Sequence, residues 1–174
     1  MSEDETSRPH RLVLLRHAKS SWADDQPDAA RPLSGRGRRD AAAAGRWLAE
    51  HVPTVDLVLC STAVRTRETW ALAAASAGDR LAQAPVRYER TIYEAWPDTL
   101  LELVQGLPET VGTALLVGHG PGLPDLAGRL NQLNGTEPID HFPTSTVVVF
   151  ELQGGWPATG ADTAWLTARA VPRG

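Results

Sequence analysis

The segment Leu12-Val13-Leu14-Leu15-Arg16-His17-Ala18 decides the fold, because an apolar run ends abruptly there in a basic pair. Residues 11–15 follow a proline-containing stretch and are too few for a helix, so they predict a buried strand. Ligands of parallel sheets bind at the carboxyl ends of the strands. We therefore expect partners of Arg16 and His17 directly after other strands.

The same arrangement recurs twice further along the chain. A predicted strand at residues 56–60 is followed by the polar segment 61–69, and one at residues 113–117 is followed by Gly118-His119-Gly120-Pro121-Gly122. Any one of these segments alone favours a surface turn or a structural histidine. Together they favour a single site at one sheet edge, containing Arg16, His17, Arg65 and His119. Guanidinium groups and the N–H groups of a glycine-rich turn suit a phosphate group there.

The rest of the chain alternates short strands with helices, which predicts an α/β fold. Ser34 caps a predicted helix to residue 51, and Ser61 or Thr62 caps one that ends at Gly78. The remaining predicted helices are 97–105 and 123–133, and the remaining predicted strands are 86–88, 144–152 and 163–171. This order predicts a three-layer α/β/α sandwich with a mainly parallel central sheet. We expect one domain, residues 11–174, after a disordered tail, residues 1–10.

The composition excludes several classes of protein. The chain has 174 residues and a net charge of −4, which gives no reason to expect nucleic acid as a partner. No apolar run is long enough for a membrane span, and the polar start of the chain is unlike a signal peptide, so we expect a cytoplasmic protein. Cys60 is the only cysteine, and His10, His51 and His141 lack metal-ligand spacing. No metal or other cofactor is expected.

Three motifs resemble those of the histidine phosphatase superfamily. Leu-Leu-Arg16-His17-Ala18 is similar to its Arg-His-Gly signature, with Ala in place of Gly. Ser61-x-Ala63-x-Arg65-Thr66-x-Glu68-Thr69 resembles its second arginine motif, and Gly118-His119 resembles its second histidine motif. The run Arg-His-Ala-Lys-Ser-Ser-Trp from Arg16 to Trp22 resembles the SixA-type phosphohistidine phosphatases. The resemblance implies a phosphoglycerate mutase-like fold.

The resemblance also implies roles for these residues. His17 would attack phosphorus and become a phosphohistidine, which water then hydrolyses. Arg16, Arg65 and His119 would bind the phosphoryl oxygens. A neutral imidazole is a competent nucleophile at pH 7, since its ordinary pKa is about 6.5. The arginines would supply the positive charge that Mg²⁺ supplies in other phosphoryl-transfer enzymes.

Glu94 is the candidate general acid, because related enzymes place a carboxylate in roughly this region. The alternative is a solvated loop residue. An imidazole leaving group is a weak base and needs little help from an acid, so a phosphohistidine enzyme tolerates a poorly placed Glu94. A sugar-phosphate phosphatase would not. Ala23 and Gly120 stand where mutases of this kind have asparagines, which counts against mutase activity.

Further candidates near the nucleophile have two interpretations each. Lys19 either touches substrate or lies in solvent, and Ser20 and Ser21 either donate to phosphate or cap the turn. The backbone of Gly120 is a candidate phosphate donor. The basic cluster Arg31, Arg36, Arg38 and Arg39 either guides an acidic partner or, more simply, forms a solvated loop and helix face.

The leading hypothesis is a metal-independent protein phosphohistidine phosphatase with a covalent intermediate on His17. One alternative is a phosphatase for small phosphate monoesters such as sugar or nucleotide phosphates. An alternative of another class is a non-catalytic adaptor that binds phosphoproteins. The intact nucleophile argues against the adaptor, because binding alone needs none. The expected partner is thus a phosphorylated protein or a small phosphate ester, and neither nucleic acid nor a membrane.

Overall fold

The computed structural model describes residues 8–22, 25–135 and 137–174. Residues 1–7 of the predicted tail lie outside the described residues, as does Ala23, where the asparagine of the mutases is missing. No helix in the described part of the chain is long and apolar enough to cross a membrane.

Six strands form one sheet, which matches the predicted α/β class. Their bounds are β1 His10–Arg16, β2 Leu57–Ser61, β3 Val86–Glu89, β4 Thr113–Gly118, β5 Val147–Leu152 and β6 Ala164–Ala170. The spatial order is β3-β2-β4-β1-β5-β6. Strands β1 to β4 pair in parallel, and β5 runs antiparallel to both β1 and β6. The prediction of a mainly parallel sheet is confirmed.

The helices cover both faces of this sheet. They are α1 Gly35–His51, α2 Val64–Ala77, α3 Asp79–Ala82, α4 Pro97–Gln105 and α5 Gly122–Leu130. Short 3-10 turns occupy Asp28–Ala30, Arg90–Ile92 and Trp156–Ala158. One apolar cluster joins Leu12 and Leu14 to α4 and α5, and a second joins Val13 and Leu15 to α1, α2 and α3. Alternate side chains of β1 therefore enter two different cores, as the pleat of a doubly covered strand requires.

The helix starts show one confirmed and one wrong prediction. Ser34 caps α1, and its side chain accepts a hydrogen bond from the Gly37 amide. The predicted cap of α2 by Ser61 or Thr62 is wrong, because the cap position is occupied by Ala63, whose side chain cannot cap the helix. Ser61 instead ends β2, which leaves its hydroxyl group available to another element.

Two elements are three residues shorter at one end than predicted. Helix α5 ends at Leu130 rather than at residue 133, and β5 begins at Val147 rather than at residue 144. The residues before β5 form a tight turn in which Ser145 has a φ of 66°. The Ser145 amide donates to the carbonyl oxygens of Arg16 and His17, at 3.2 and 3.1 Å. Residues 144–146 therefore form a turn that is hydrogen-bonded to the end of β1, and they are not part of β5.

Candidate active site

The ends of three neighbouring strands bring the predicted residues together. Arg16 ends β1, His17 follows it, Arg65 lies in the first turn of the helix after β2, and His119 follows β4. The register pairs Arg16 with Gly118, and the His17 amide donates to the Gly118 carbonyl oxygen at 3.1 Å. The centroids of the His17 and His119 rings are 5.3 Å apart.

The ring of His17 is held by the backbone. Its Nδ1 lies 2.7 Å from the carbonyl oxygen of Ala18. Because a carbonyl oxygen only accepts, Nδ1 carries the proton and Nε2 keeps a free lone pair. Burial lowers the pKa of His17 to about 4, an effect that the Ala18 bond opposes and that nearby Arg65 and Arg16 reinforce. The ring is therefore neutral at pH 7, with a free lone pair on Nε2.

The ring of His119 is held by a side chain. Its Nε2 lies 2.7 Å from Ser61 Oγ, which also accepts a hydrogen bond from the Ala63 amide at 3.3 Å. We assign the Ser61 hydroxyl proton to the bond with Nε2, which places the ring proton on Nδ1. Burial, and then the neighbouring His17, lower the pKa of His119 to about 3. Nδ1 is buried and has no hydrogen-bond partner among the described residues, so with this assignment its proton is unpaired.

Asp28 is a functional candidate that the sequence reasoning missed. Its carboxylate accepts hydrogen bonds from Tyr93 Oη at 2.6 Å, Arg31 Nη1 at 2.9 Å and Arg65 Nη2 at 3.0 Å. Arg65 Nη1 also donates to the Asp28 carbonyl oxygen at 2.8 Å. The Tyr93 hydroxyl, followed by the two guanidinium groups, holds the pKa of Asp28 well below its usual range. Asp28 thus fixes the orientation of Arg65. The only signal in the sequence was an acidic residue three positions before Arg31.

Arg16 and Gly120 are packed against each other. Arg16 Nη1 donates to the carbonyl oxygen of Phe142 at 2.6 Å, while its Nε is buried without a partner. A Cβ atom at position 120 would lie 3.1 Å from Arg16 Cζ and from Nη2. The missing asparagine side chain at position 120 therefore has a structural reason, because a side chain there would crowd the guanidinium group.

A cavity of about 470 Å³ lies at this edge of the sheet. It is lined by Asp28, Arg65, the segment 93–96, His119, Gly120 and Pro121, whereas His17 is buried beside it and is not part of its lining. Glu94 belongs to this lining, is exposed, and has a φ of 55°, a conformation that non-glycine residues rarely adopt. Trp96 is 74% exposed at the same wall. The structure therefore places Glu94 at the mouth of the candidate site.

The other predicted substrate-binding residues lie around Arg31. Ser20 Oγ accepts from Arg31 Nη2 at 2.6 Å, and the Ser21 carbonyl oxygen accepts from Arg31 Nε at 3.1 Å. Lys19 is exposed, and its carbonyl oxygen accepts from the Ser34 amide. The side chain of Arg31 is only 11% exposed and stacks 3.6 Å from the ring centroid of Trp22. Arg31 is therefore not part of a solvated face, and the two serines support its position.

The sequence matches a family of phosphatases and a mycobacterial protein. The profile of the Histidine phosphatase superfamily (branch 1) matches residues 12–98. An uncharacterized protein of Mycobacterium tuberculosis is 39% identical over 165 residues, which cover 91% of this chain and 100% of that protein.

The structure is also similar to solved structures. A protein of Nakamurella multipartitia assigned as the phosphohistidine phosphatase SixA has a TM-score of 0.81 and 34% identity, over 94% of this chain and 96% of that one. A protein of Agrobacterium tumefaciens with the same assignment has a TM-score of 0.77 and 27% identity, over 94% and 99% of the two chains.

Proposed function

Because the chain belongs to the histidine phosphatase superfamily and is a phosphatase, we propose that it hydrolyses phosphohistidine in proteins, with His17 as its nucleophile. The observation that carries this proposal is the hydrogen bond from His17 Nδ1 to the Ala18 carbonyl oxygen. It fixes the neutral tautomer with a lone pair on Nε2, in a ring whose centroid lies 5.3 Å from that of His119 and whose pKa is lowered by burial and by the charge of nearby Arg65.

The reaction has two displacement steps. Nε2 of His17 forms a bond to phosphorus while the phosphorus–nitrogen bond of the substrate breaks, and the departing imidazole takes up a proton. Water then attacks the phosphoryl group on His17, which releases inorganic phosphate and restores the neutral ring. Arg16, Arg65 and the Nδ1–H of His119 stabilise the charge on the phosphoryl oxygens in both steps.

Two observations support a protein substrate. The cavity is open at the wall formed by Glu94 and Trp96, and the two SixA-assigned structures are similar over nearly their whole length. Imidazole is a far weaker base than an alkoxide, so its departure requires little proton donation. The exposed position of Glu94 is compatible with that requirement.

A phosphatase for small monoesters is the second candidate, and the position of Glu94 favours it. The carboxyl group belongs to the lining of the cavity and its backbone is held in an uncommon conformation. Residues held in such conformations are concentrated at active sites. Glu94 would then protonate the departing alkoxide oxygen, as a general acid does.

Incubation with a ³²P-labelled phosphoryl donor tests the nucleophile. We expect an acid-labile, base-stable label on the parent protein and none on His17→Ala. His51→Ala is the matched control, because His51 is an exposed histidine at the end of α1, and this variant should label normally. Turnover by the parent protein without any label, under rapid quenching, would contradict the covalent mechanism.

Glu94→Gln distinguishes the two substrate classes. We expect this variant to keep its activity on a phosphohistidine peptide within about twofold. On alkyl phosphates its kcat should fall about 10²-fold, because the alkoxide leaving group must be protonated by an acid. Glu109→Gln is the control, because Glu109 lines a different cavity, next to His10 at the start of β1. If both activities survived unchanged, Glu94 would not be the general acid; equal losses on both substrates would contradict the expected independence of phosphohistidine hydrolysis from Glu94.

A further inference from the structure

A groove runs from the candidate active site across α5. The cavity over the active site shares Gly120 and Pro121 with a second cavity of about 700 Å³. The second cavity shares Gly128, Ile139 and Asp140 with a third, of about 510 Å³. We call the second and third cavities together the α5 groove. Because neighbouring cavities have lining residues in common, a bound segment could continue from the phosphoryl site into the groove.

The groove is acidic. Asp125 and Asp140 line its first part, and Asp140 and Glu137 line its second part. All three residues are exposed, and none has an ion-pair partner among residues 8–22, 25–135 and 137–174. Arg129, the basic residue of α5, is paired with Asp98 instead. The only cation in the lining is Arg16, at the end that meets the active site.

A buried amide lies at the far end of the groove. Asn131 is 6% exposed and lines the third cavity. Its Nδ2 donates to the Glu137 carbonyl oxygen at 2.7 Å, whereas its buried Oδ1 accepts no hydrogen bond from the described residues. Gly135 packs directly against this amide, so Asn131 holds the end of the groove in place. The floor between these ends is open, since a Cβ atom at Gly128 would meet nothing within 4 Å.

We propose that the α5 groove binds a lysine- or arginine-containing segment next to the phosphohistidine of the protein substrate. This inference rests on the proposed function for the identity of the substrate. The site would then match its ligand in charge along its length, with arginines facing the phosphoryl group and carboxylates facing the basic segment. Such complementarity acts mainly on the rate of encounter and on the choice of partner.

The test uses two phosphohistidine peptides that differ only in flanking residues, lysines in one and serines in the other. We expect the parent protein to prefer the lysine peptide about tenfold in kcat/KM at low salt, and less at high salt. The double variant Asp125→Asn, Asp140→Asn should reduce this preference to about twofold. Glu50→Gln with Asp79→Asn, which removes the same charge from exposed positions in α1 and α3, should leave the preference intact.

A binding measurement separates this inference from the proposed function. Fluorescence anisotropy of an unphosphorylated lysine peptide reports the groove without any turnover. Weaker binding by the Asp125, Asp140 double variant than by the control double variant supports the groove even if phosphohistidine is not the substrate. Equal binding by the two double variants, or an equal preference for both phosphopeptides in the parent protein, overturns it. Absence of phosphohistidine hydrolysis together with groove binding would overturn the proposed function alone.

Discussion

The ends of β1 and β4 each present a buried, neutral histidine, but they hold it by different means. At the end of β1 a backbone carbonyl, that of Ala18, fixes His17 through Nδ1. At the end of β4 a side chain, Ser61 from the neighbouring strand β2, fixes His119 through Nε2. The two rings therefore present opposite nitrogens. Nε2 of His17 keeps a lone pair, and the ring proton of His119 is assigned to Nδ1.

This difference shows how two residues of one type acquire different hydrogen-bonding patterns when their ring centroids are only 5.3 Å apart. The hydrogen bond of His17 goes to the carbonyl oxygen of Ala18, which no side-chain substitution removes. A side-chain bond depends on one hydroxyl group, so it can be deleted. The two histidines should consequently respond differently to substitution, and the following predictions measure that difference.

The largest effect is expected from His119→Ala. Loss of one preorganised donor to a phosphoryl oxygen should lower kcat about 10²- to 10³-fold. The variant should still form the acid-labile label, slowly, because His17 keeps its nucleophilic nitrogen. Quench-flow measurement of the labelling rate checks this. If His119→Ala formed no label at all over hours, the two histidines would not have the separate roles assigned here.

An intermediate effect is expected on stability at mildly acidic pH. The folded chain holds the pKa values of His17 and His119 at about 4 and about 3, below the ordinary value of about 6.5 in the unfolded chain. Between pH 6.5 and 4 the unfolded state therefore takes up protons that the folded state does not. Stability should be fully present above pH 6.5 and should fall by roughly 4 kcal/mol between pH 7 and pH 5, about 2 kcal/mol for each histidine.

Urea unfolding at pH 7, 6 and 5 measures this dependence. Replacing both histidines by glutamine should flatten it, whereas His51→Gln, at an exposed position, should preserve it. A parent protein equally stable at pH 7 and pH 5 would show that the two buried rings become protonated without cost in the folded state.

The smallest effect is expected from Ser61→Ala. Without the hydroxyl group His119 can place its proton on either nitrogen, so we expect about a tenfold loss of kcat with little change in KM. The pH profile should also change, since the ring loses its partner. Ser145→Ala is a matched control, because Ser145 is equally buried and its hydroxyl has no hydrogen-bond partner. Equal kcat values for the two variants would remove Ser61 from the positioning of His119.

The residues at the strand ends were predictable from the sequence, because apolar runs locate strands and parallel strands end at one edge. Arg16, His17, Arg65 and His119 follow from that rule. Asp28 and the Ser61 to His119 contact do not. Asp28 meets Arg65 across 37 positions in sequence, and Ser61 meets His119 across 58. Local patterns contain no information on such pairs, which depend on how the loops fold over the sheet.

The boundaries that failed have local causes of the same kind. Serine is a common helix-capping residue, yet β2 continues through Ser61 and α2 begins only at Val64. The β-branched residues before β5 have the composition of a strand, yet Ser145 turns there to bond the carbonyl oxygens of Arg16 and His17. In both cases a contact near the site overrides the propensity of a short segment.

The packing of Gly120 against Arg16 couples the backbone of one strand end to the side chain of its neighbour. A Cβ atom introduced at position 120 would lie 3.1 Å from the guanidinium carbon, so that group would have to move by a few tenths of an ångström. Because Arg16 Nη1 donates to the Phe142 carbonyl oxygen, the displacement would be transmitted to the segment before β5. The size of residue 120 therefore acts as a set screw on the position of the Arg16 guanidinium group.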